Sequence, residues 1–365
     1  MEAPAARRTR FRADVLQAFV RDAMGAVGVS EDDAAIVADV LVASDLRGIE
    51  SHGVARLERF YVDRLRDGLI DPRAQPVTIR ETATSLAVDA NNGLGHPAAV
   101  KTMRRTIRKA LESGCSVATV RRSNHFGIAG YYAMMALEHD LVGIASTNAG
   151  KLAVPTFGRT AMLGTNPFAY AIPAQNGDAF VLDMATTAVA LGKLEIARRL
   201  GKPLAPGWAL DAGGSETLDP QSGINGSLLP LGGFGTEGGG HKGYGLALLA
   251  EILCGVLAGG VYGPEMPDSQ GVLDPAITSH FFAAFRIDGL RDAASFKADL
   301  SRLLEHMRAC EPAAGCERVY TAGEIEAIRT RESLEHGIAL DPVVVATLDS
   351  VAKKLKIPPP QRIAS

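Results

Sequence analysis

The run Cys115-Ser-Val-Ala-Thr-Val120, followed by Ser123-Asn-His-Phe-Gly127 and the apolar segment 128–138, predicts a strand, a tight turn and a helix. A histidine in such a turn lies at the edge of a sheet, close to helix-end amides that can hold an anion. The sequence alone leaves two interpretations of His125 open. It takes part in chemistry, or it is a structural histidine that only hydrogen-bonds the backbone of a capped turn.

Composition limits what the rest of the chain can be. Its 365 residues suffice for two or three structural units with a sizeable core, and 47% hydrophobic with 22% charged residues is typical of a soluble globular protein. A net charge of -3 gives no support for nucleic acid as a partner. The longest apolar run, 245–257, contains Glu251 and is too short to span a bilayer, so it predicts a buried helix and no membrane partner.

The cysteines and the N-terminus bear on the cellular compartment. The four cysteines form no CxxC motif, and although Cys310 and Cys316 could pair, free thiols in a reducing cytoplasm are the simpler interpretation. The Arg-rich first twelve residues lack an apolar segment and do not resemble a secretory signal. The histidines show no HxH or HExxH spacing, so no metal site is predicted.

Helices are predicted for the N-terminal part of the chain. Apolar residues recur at helical spacing over 12–25, and Ser30 with the acids after it is a typical helix start. That second helix should run to about Asp45 and be broken by Gly48. A third should begin near Ser51 and continue through Leu65.

His52 and Arg56 would share one face of this third helix because they are four residues apart. Ser51 is then either the helix N-cap or a hydrogen-bond partner of His52. Arginine offers a two-pronged donor and the helix dipole adds a favourable field, so the three side chains could bind a carboxylate. The alternative is a solvated helix face with an ordinary serine cap.

Further candidate ligand contacts follow predicted strands. Strands are expected within 77–92, and a helix over 98–113 is expected to use His96 as its cap. A buried strand over 141–146 ends in Thr147 and Asn148, at a sheet edge where ligands commonly bind in α/β proteins. Asp183 ends another strand. It could hold a ribose or orient a histidine, or simply form an Asx-turn or helix cap.

Two glycine-rich segments need separate treatment. Residues 201–230 are rich in Gly, Pro and Asp and indicate a long surface excursion. Residues 233–238 match G-x-G-x-x-G literally. They lie far along the chain, after a short segment containing Pro230 and without an acidic residue closing a strand about 20 residues later, so a Rossmann fingerprint is not supported. His241 and Lys242, at the start of the next helix, remain suited to a phosphate or carboxylate.

Several segments, in order along nearly the whole chain, resemble one known family. The run Asp45-Leu-Arg-Gly-Ile-Glu-Ser-His-Gly-Val-Ala-Arg-Leu57 resembles the N-terminal signature of the type 2 malate/L-lactate dehydrogenases. The other matching segments are Ser123-Asn-His-Phe-Gly127, Leu163-Gly-Thr-Asn-Pro167, Val181-Leu-Asp-Met-Ala185, Gly239-Gly-His-Lys-Gly-Tyr-Gly245, Ala322-Gly-Glu324 and Gly337-Ile-Ala-Leu340.

The resemblance implies an α/β fold that is not a Rossmann fold. A large mixed, mainly antiparallel sheet would hold the cofactor, beside a helical unit built from both chain ends. We expect residues 12–75 to form the N-terminal part of the substrate and dimer unit and residues 76–290 the cofactor-binding sheet domain. Residues 291–356 would be a C-terminal helical part packed on the N-terminal unit. The resemblance also implies a homodimer.

The activity implied is NAD- or NADP-dependent hydride transfer at C2 of a small 2-hydroxy or 2-oxo acid, of the malate or L-lactate type. His52, His125 and Ser51 match catalytic positions, with Arg56 holding the substrate carboxylate and Thr187 near the substrate. Cofactor-contacting positions are matched by His125, Phe126, Gly127, Ile128, Ala129, Thr147, Asn148, Asp183, Met184, Ala185, His241 and Lys242.

Three alternatives stay open. Relatives in the same family act on ureidoglycolate, sulfolactate or cyclic imino acids, although some imino-acid reductases carry an acid where this chain has Lys193. The chain could also be a non-catalytic carboxylate-binding protein on the same scaffold. The sequence does not separate His52 from His125 as the proton carrier, and we favour His52 because Ser51 and Arg56 flank it.

Overall fold

The computed structural model describes residues 8–267 and 277–363. Its helices are α1 (Ala13–Ala26), α2 (Glu31–Leu46), α3 (Asp63–Arg66), α4 (Gly95–Ser113), α5 (Ala129–Met134), α6 (Leu191–Leu200), α7 (Pro220–Asn225), α8 (Gly240–Glu251), α9 (Ala293–Arg308), α10 (Glu324–His336) and α11 (Pro342–Leu355). Its strands are β1 (Thr9–Phe11), β2 (Val77–Glu81), β3 (Ser85–Asp89), β4 (Cys115–Ser123), β5 (Leu141–Thr147), β6 (Phe168–Pro173), β7 (Ala179–Met184), β8 (Ala209–Leu210), β9 (Ser227–Leu228), β10 (Thr278–Arg286) and β11 (Ile338–Leu340).

Seven strands form one sheet in the order β2-β3-β4-β10-β5-β6-β7. Only β3 and β4 run parallel, and every other neighbouring pair in this sheet is antiparallel. The prediction of a large mixed, mainly antiparallel sheet is therefore confirmed. The long strand β10 lies between β4 and β5, which brings the turn after β4 and the residues after β5 to the same region of the sheet.

Helices α4 and α5 pack against this sheet and share one hydrophobic core with it. Phe126, directly after His125, is 1% exposed and stacks on Tyr132 of α5 with ring centroids 4.7 Å apart. The turn that carries His125 is thus anchored from within. Burying each aromatic ring of this size stabilises the fold by about 2–3 kcal/mol.

A second core joins the two ends of the chain. It contains Phe19 of α1, Leu41 of α2 and Leu348 of α11. Strand β1 pairs antiparallel with β11, and α10 packs on α2. Helix α9 instead lies beside the end of β6, where Ser301 accepts a hydrogen bond from the Gln175 amide at 2.9 Å. The domain boundaries given above remain a proposal.

Residues 201–230 lie largely at the surface, as their composition predicted, but they are not an unstructured loop. They contain β8, α7 and β9, and they share a small hydrophobic core with α6. Leu204, Ala209 and Leu228 in this segment are at most 3% exposed. The glycines and prolines lie in turns between very short elements that pack on one another. A composition rich in turn residues therefore did not indicate that this segment folds into a small lobe with α6.

The segment 245–257 is helical, but the prediction that it is buried is wrong. Helix α8 continues into a π-helical turn, Ile252–Val256. The residues that face the protein on this segment are small, such as Gly243, Ala247 and Cys254. The large apolar side chains form an outer stripe of Leu246, Leu249, Ile252, Val256 and Leu257, which are 40–59% exposed. Among the described residues no helix is both long and apolar enough to cross a membrane.

Candidate active site

The predicted third helix is not a regular α-helix at its start. Residues Glu50–His52 and Val54–Arg56 form two single 3-10 turns, separated by Gly53 in an extended conformation. Asp45 at the end of α2 causes the break, because its carboxyl oxygen Oδ2 accepts a hydrogen bond from the Val54 amide at 2.8 Å. A Cβ on Gly53 would lie 2.0 Å from Oδ1 of the same carboxyl group. His52 and Arg56 therefore do not share an α-helical face, contrary to the prediction.

A π-helix, Leu57–Val62, continues the chain toward α3. A π-helix holds more residues in each turn than an α-helix and is frequently found at functional sites. Here it carries Tyr61, a residue that sequence reasoning missed, into the protein interior, where it is 0% exposed. No motif marks Tyr61, since its position depends on this irregular winding.

His52 and His125, far apart in the sequence, face each other. Their rings are stacked, with centroids 5.5 Å apart and an interplanar angle of 24°. Nδ1 of His52 lies 2.8 Å from the Ser51 hydroxyl, as predicted for a Ser51 partner. Both rings are partly exposed. The region bordered by these two rings, Ser51 and Arg56 is called the cleft.

Arg56 lies at the edge of this histidine pair. Its Nε donates to the Ser51 carbonyl at 2.6 Å, and its guanidinium lies 4.9 Å from the centre of the Phe60 ring. Within the described part of the chain, its two terminal nitrogens have no hydrogen-bond partner. The Arg56 side chain is therefore held at its base while its terminal fork is free to bind a carboxylate.

His125 is held more tightly than His52. Its Nδ1 lies 2.6 Å from the Tyr61 hydroxyl and accepts a hydrogen bond from the Gly127 amide at 3.3 Å. Gly127 has a φ of +81°, and a Cβ there would lie 2.8 Å from a Val40 methyl. Only glycine fits this turn, and the backbone bond to Nδ1 depends on it.

Burial sets the charge state of both histidines. Loss of water, together with the nearby positive charge of Arg56, lowers the pKa of His52 to about 4. Desolvation likewise holds the pKa of His125 well below its ordinary value, with His52 and His96 adding repulsion. Both rings are neutral near pH 7, the state in which an imidazole can accept a proton or donate one N–H.

Asp45 is a buried carboxyl group beneath the Ser51–Arg56 turns. It is 3% exposed, and burial raises its pKa to about 8, opposed by the Val54 amide bond. Its Oδ1 has no hydrogen-bond partner among the described residues. Asp45 is therefore neutral near pH 7, and it holds the turns by geometry rather than by charge.

Two further histidines support the cleft from below. His96 was expected to cap α4, but Leu94 is the N-cap and the His96 ring is 0% exposed, edge-on to Tyr61 with centroids 4.8 Å apart. His280 of β10 stacks on Phe126 at 4.4 Å. Desolvation lowers the pKa of each to about 3.

The Asp183 side chain makes a hydrogen bond to the start of a helix. Its carboxylate accepts a hydrogen bond from the Gly130 amide at 2.7 Å, in the first turn of α5. Burial raises the pKa of this carboxyl to about 6. Asp183 thereby fixes the start of α5, so that Ile128, its N-cap, and Ala129 follow directly from the His125 turn. Met184 and Ala185 continue from Asp183 and are partly exposed.

Three other candidates use their side chains within the protein. The Thr147 hydroxyl bonds Nδ1 of His280 at 2.8 Å, and Asn148 donates to Val261 and Glu251. The Thr187 hydroxyl donates to the Val189 carbonyl at 2.8 Å. Their predicted ligand contacts remain a proposal, and they would have to be made mainly by backbone atoms.

The glycine-rich loop before α8 is a compact backbone cradle. A Cβ on Gly240 would lie 1.9 Å from the Gly233 carbonyl, and one on Gly238 would lie 2.4 Å from the Gly232 carbonyl. His241 and Lys242 project from the first turn of α8 and are exposed. A helix N-terminus and an exposed lysine suit the phosphates of a dinucleotide.

The chain is similar to known proteins in both sequence and fold. The family model described as malate/L-lactate dehydrogenase matches residues 11–349. The chain is 40% identical to a malate dehydrogenase of Pyrococcus abyssi over 95% of both chains, and 34% identical to an L-sulfolactate dehydrogenase of Methanothermobacter thermautotrophicus over 93% of this chain and 95% of that one. The crystal structure of malate dehydrogenase from Entamoeba histolytica superposes with a TM-score of 0.93 at 33% identity, covering 97% of this chain and 100% of the other.

Proposed function

The chain belongs to the malate/L-lactate dehydrogenase family, and on that premise we propose that its cleft oxidises malate and reduces the corresponding 2-oxo acid. The chain is an NAD(P)-dependent oxidoreductase of 2-hydroxy and 2-oxo acids. The observation that carries the proposal is the stacked pair of neutral histidines, His52 and His125, beside the free fork of Arg56. The names of the relatives at 40% and 33% identity favour malate over L-lactate.

Arg56 binds the substrate carboxylate in this proposal. A planar guanidinium forms two parallel hydrogen bonds with a carboxylate, which fixes the orientation of the C2 carbon next to it. The Ser51 carbonyl accepts a hydrogen bond from Nε of Arg56, and the Phe60 ring lies against its guanidinium. The Arg56 side chain is therefore already ordered, and little rotamer entropy is lost on binding. Orientation of this kind lowers the activation barrier of the reaction at C2 by roughly several kcal/mol.

The histidines handle the hydroxyl proton. Oxidation of a 2-hydroxy acid requires a base for the C2 hydroxyl, and reduction of the 2-oxo acid requires a donor to the C2 oxygen. Both rings are neutral near pH 7 and border the same cleft. Ser51, bonded to His52, orients that ring.

A nicotinamide cofactor, when bound, exchanges a hydride with C2 of the substrate. The residues in place fit such a group. The cradle before α8, with His241 and Lys242, would hold the phosphates. The turn from His125 to Ala129, together with Asp183, Met184 and Ala185, would hold the nicotinamide end.

We further propose a cytoplasmic homodimer. The outer stripe of α8 exposes large apolar side chains, such as Leu249 and Ile252, in a contiguous row, as expected of a surface that a second subunit covers. The four cysteines are free, which fits a reducing compartment. Sedimentation velocity of the wild type and of Leu249→Glu tests the dimer. A wild type that sediments as a monomer would contradict it.

A panel of acids tests the substrate proposal. Oxaloacetate, pyruvate and a cyclic imino acid are each mixed with NADH or NADPH, and loss of the reduced-nicotinamide absorbance is followed. We expect the highest kcat/KM with oxaloacetate. Turnover of the imino acid alone, or cofactor binding without any turnover, would overturn the proposal.

A further inference from the structure

We propose that Tyr61 fixes His125 in the tautomer that carries its proton on Nε2, so that His125 serves as a hydrogen-bond donor to the C2 oxygen while His52 carries the proton. Tyr61 is then a positioning residue, and the two histidines have different tasks. The assignment of tasks rests on the proposed function. The tautomer itself is a property of the protein without substrate.

The hydrogen bonds at Nδ1 of His125 carry the first step. The Gly127 amide can only donate, so Nδ1, which it approaches at 3.3 Å, must offer its lone pair. The Tyr61 hydroxyl lies 2.6 Å from the same nitrogen and must therefore donate as well. A neutral imidazole with an unprotonated Nδ1 carries its proton on Nε2.

The opposite tautomer leaves polar groups unsatisfied. With a proton on Nδ1, the Gly127 amide would point at an N–H group. The Tyr61 hydroxyl would accept from Nδ1 and lose the only acceptor that the described residues offer its own proton. Tyr61 is 0% exposed, so water cannot replace that acceptor without a rearrangement. An unpaired buried donor is costly, and the balance favours the tautomer protonated on Nε2.

His52 has no such constraint. Its Nδ1 faces the hydroxyl of Ser51, which is exposed and can donate or accept. His52 can therefore present a lone pair to a substrate hydroxyl. In oxidation the O–H bond of the substrate breaks, its proton forms an N–H bond on His52, and the resulting imidazolium returns the proton to solvent at its partly exposed edge.

The pairing of a fixed donor with a free base is consistent with the electrostatics. Two imidazolium rings at 5.5 Å would repel each other, so only one of the pair can be charged at a time. A His125 that stays neutral through the reaction leaves the transient positive charge to His52. It can still donate from Nε2 to the C2 oxygen in both directions.

Nitrogen-15 NMR of the full chain labelled in histidine, without substrate, tests the tautomer. The His125 signals are assigned by their loss in His125→Gln. We expect an unprotonated Nδ1 and a protonated Nε2 in the wild type. In Tyr61→Phe we expect a mixture of tautomers, because only the longer and weaker bond from the Gly127 amide, at 3.3 Å, still favours the form protonated on Nε2. We also expect Tyr61→Phe to lower kcat/KM for the 2-oxo acid about 10-fold, the effect of losing one hydrogen bond.

Tyr132→Phe is the matched control. It removes another fully buried tyrosine hydroxyl, one that donates to the Phe126 carbonyl, and it should leave the His125 tautomer unchanged. A wild-type His125 protonated on Nδ1, or divided between the two forms, overturns the proposal, and this holds even if Tyr61→Phe fails to fold. Absence of turnover with every acid would refute the proposed function and leave the tautomer result standing.

Discussion

The two histidines of the cleft differ in how the chain holds them. His125 follows β4, a nine-residue strand at the centre of the sheet, and its ring is bonded from below by Tyr61 and Gly127. His52 lies on single 3-10 turns beside a break at Gly53, and its Nδ1 bonds an exposed serine. The same residue type is therefore rigid at one side of the cleft and adaptable at the other.

This contrast bears on how a residue's task is identified. Both histidines are partly exposed, neutral near pH 7 and stacked on each other, so neither charge nor distance separates them. The partners of Nδ1 separate them, because a nitrogen that accepts two hydrogen bonds fixes where the ring can donate. Each prediction below changes one side of the cleft and leaves the other in place.

Among changes that leave both histidines in place, the largest effect is expected from Arg56→Lys, on the His52 side. Lysine keeps the charge but loses the two-pronged grip, so KM for the acid should rise and kcat/KM fall about 100-fold. Steady-state kinetics with saturating cofactor measures both values. Arg59→Lys, an exposed neighbour on the same segment, is the control and should change neither. An unchanged KM in Arg56→Lys would rule out the carboxylate role.

The His125 side should be the more sensitive to acid, because His96 and His280 lie beneath it. Both are 0% exposed, with pKa values lowered to about 3 against 6.5 in the unfolded chain. Between these values the unfolded state binds more protons, so stability is lost as the pH falls below 6.5. Each of these two histidines should lower the free energy of unfolding by about 2 kcal/mol at pH 5 relative to pH 7.5. Urea unfolding at both pH values measures the difference, and equal stabilities would contradict the buried neutral state.

A smaller effect is expected when the support beneath His52 is removed. Asp45→Ala removes the acceptor of the Val54 amide, so the turns loosen and kcat/KM should fall about 10-fold, the scale of one hydrogen bond. Asp45→Asn keeps an oxygen acceptor and is uncharged, like the protonated Asp45. The kcat/KM of this variant should therefore stay within about 3-fold of the wild-type value. Kinetics of both variants checks this. An asparagine variant as impaired as the alanine variant would mean that the negative charge is required.

Much of the fold could be predicted from the sequence where local pattern and burial agree. Ser30 caps α2, as its position before three acidic residues indicated. The strand and the helix on either side of His125 form as predicted, but β4 extends to Ser123, into the predicted turn, and α5 ends at Met134 instead of residue 138. Segment 245–257 was misjudged because apolar content does not distinguish a buried core from an exposed apolar surface. The small residues Gly243 and Ala247 on the inner side were the available signal.

The site was predictable only in part. The family motifs identified His52, Arg56 and His125, but they do not show how these side chains are held. Tyr61, which no motif marks, reaches His125 through a π-helix, and Asp45, the first residue of the N-terminal signature, bends the turns from a neighbouring helix. Such contacts depend on long-range packing and irregular winding, which hydrophobic periodicity does not encode.

The division of tasks between the two histidines is tested most directly by replacing each with glutamine and measuring kcat for malate oxidation. The Nε2 amide of glutamine can donate a hydrogen bond but cannot accept a proton as a base. We expect kcat to fall at least about 100-fold in His52→Gln, as for removal of a general base. In His125→Gln we expect kcat to fall no more than about 10-fold. A His125→Gln variant that loses as much as His52→Gln, or more, would contradict the account.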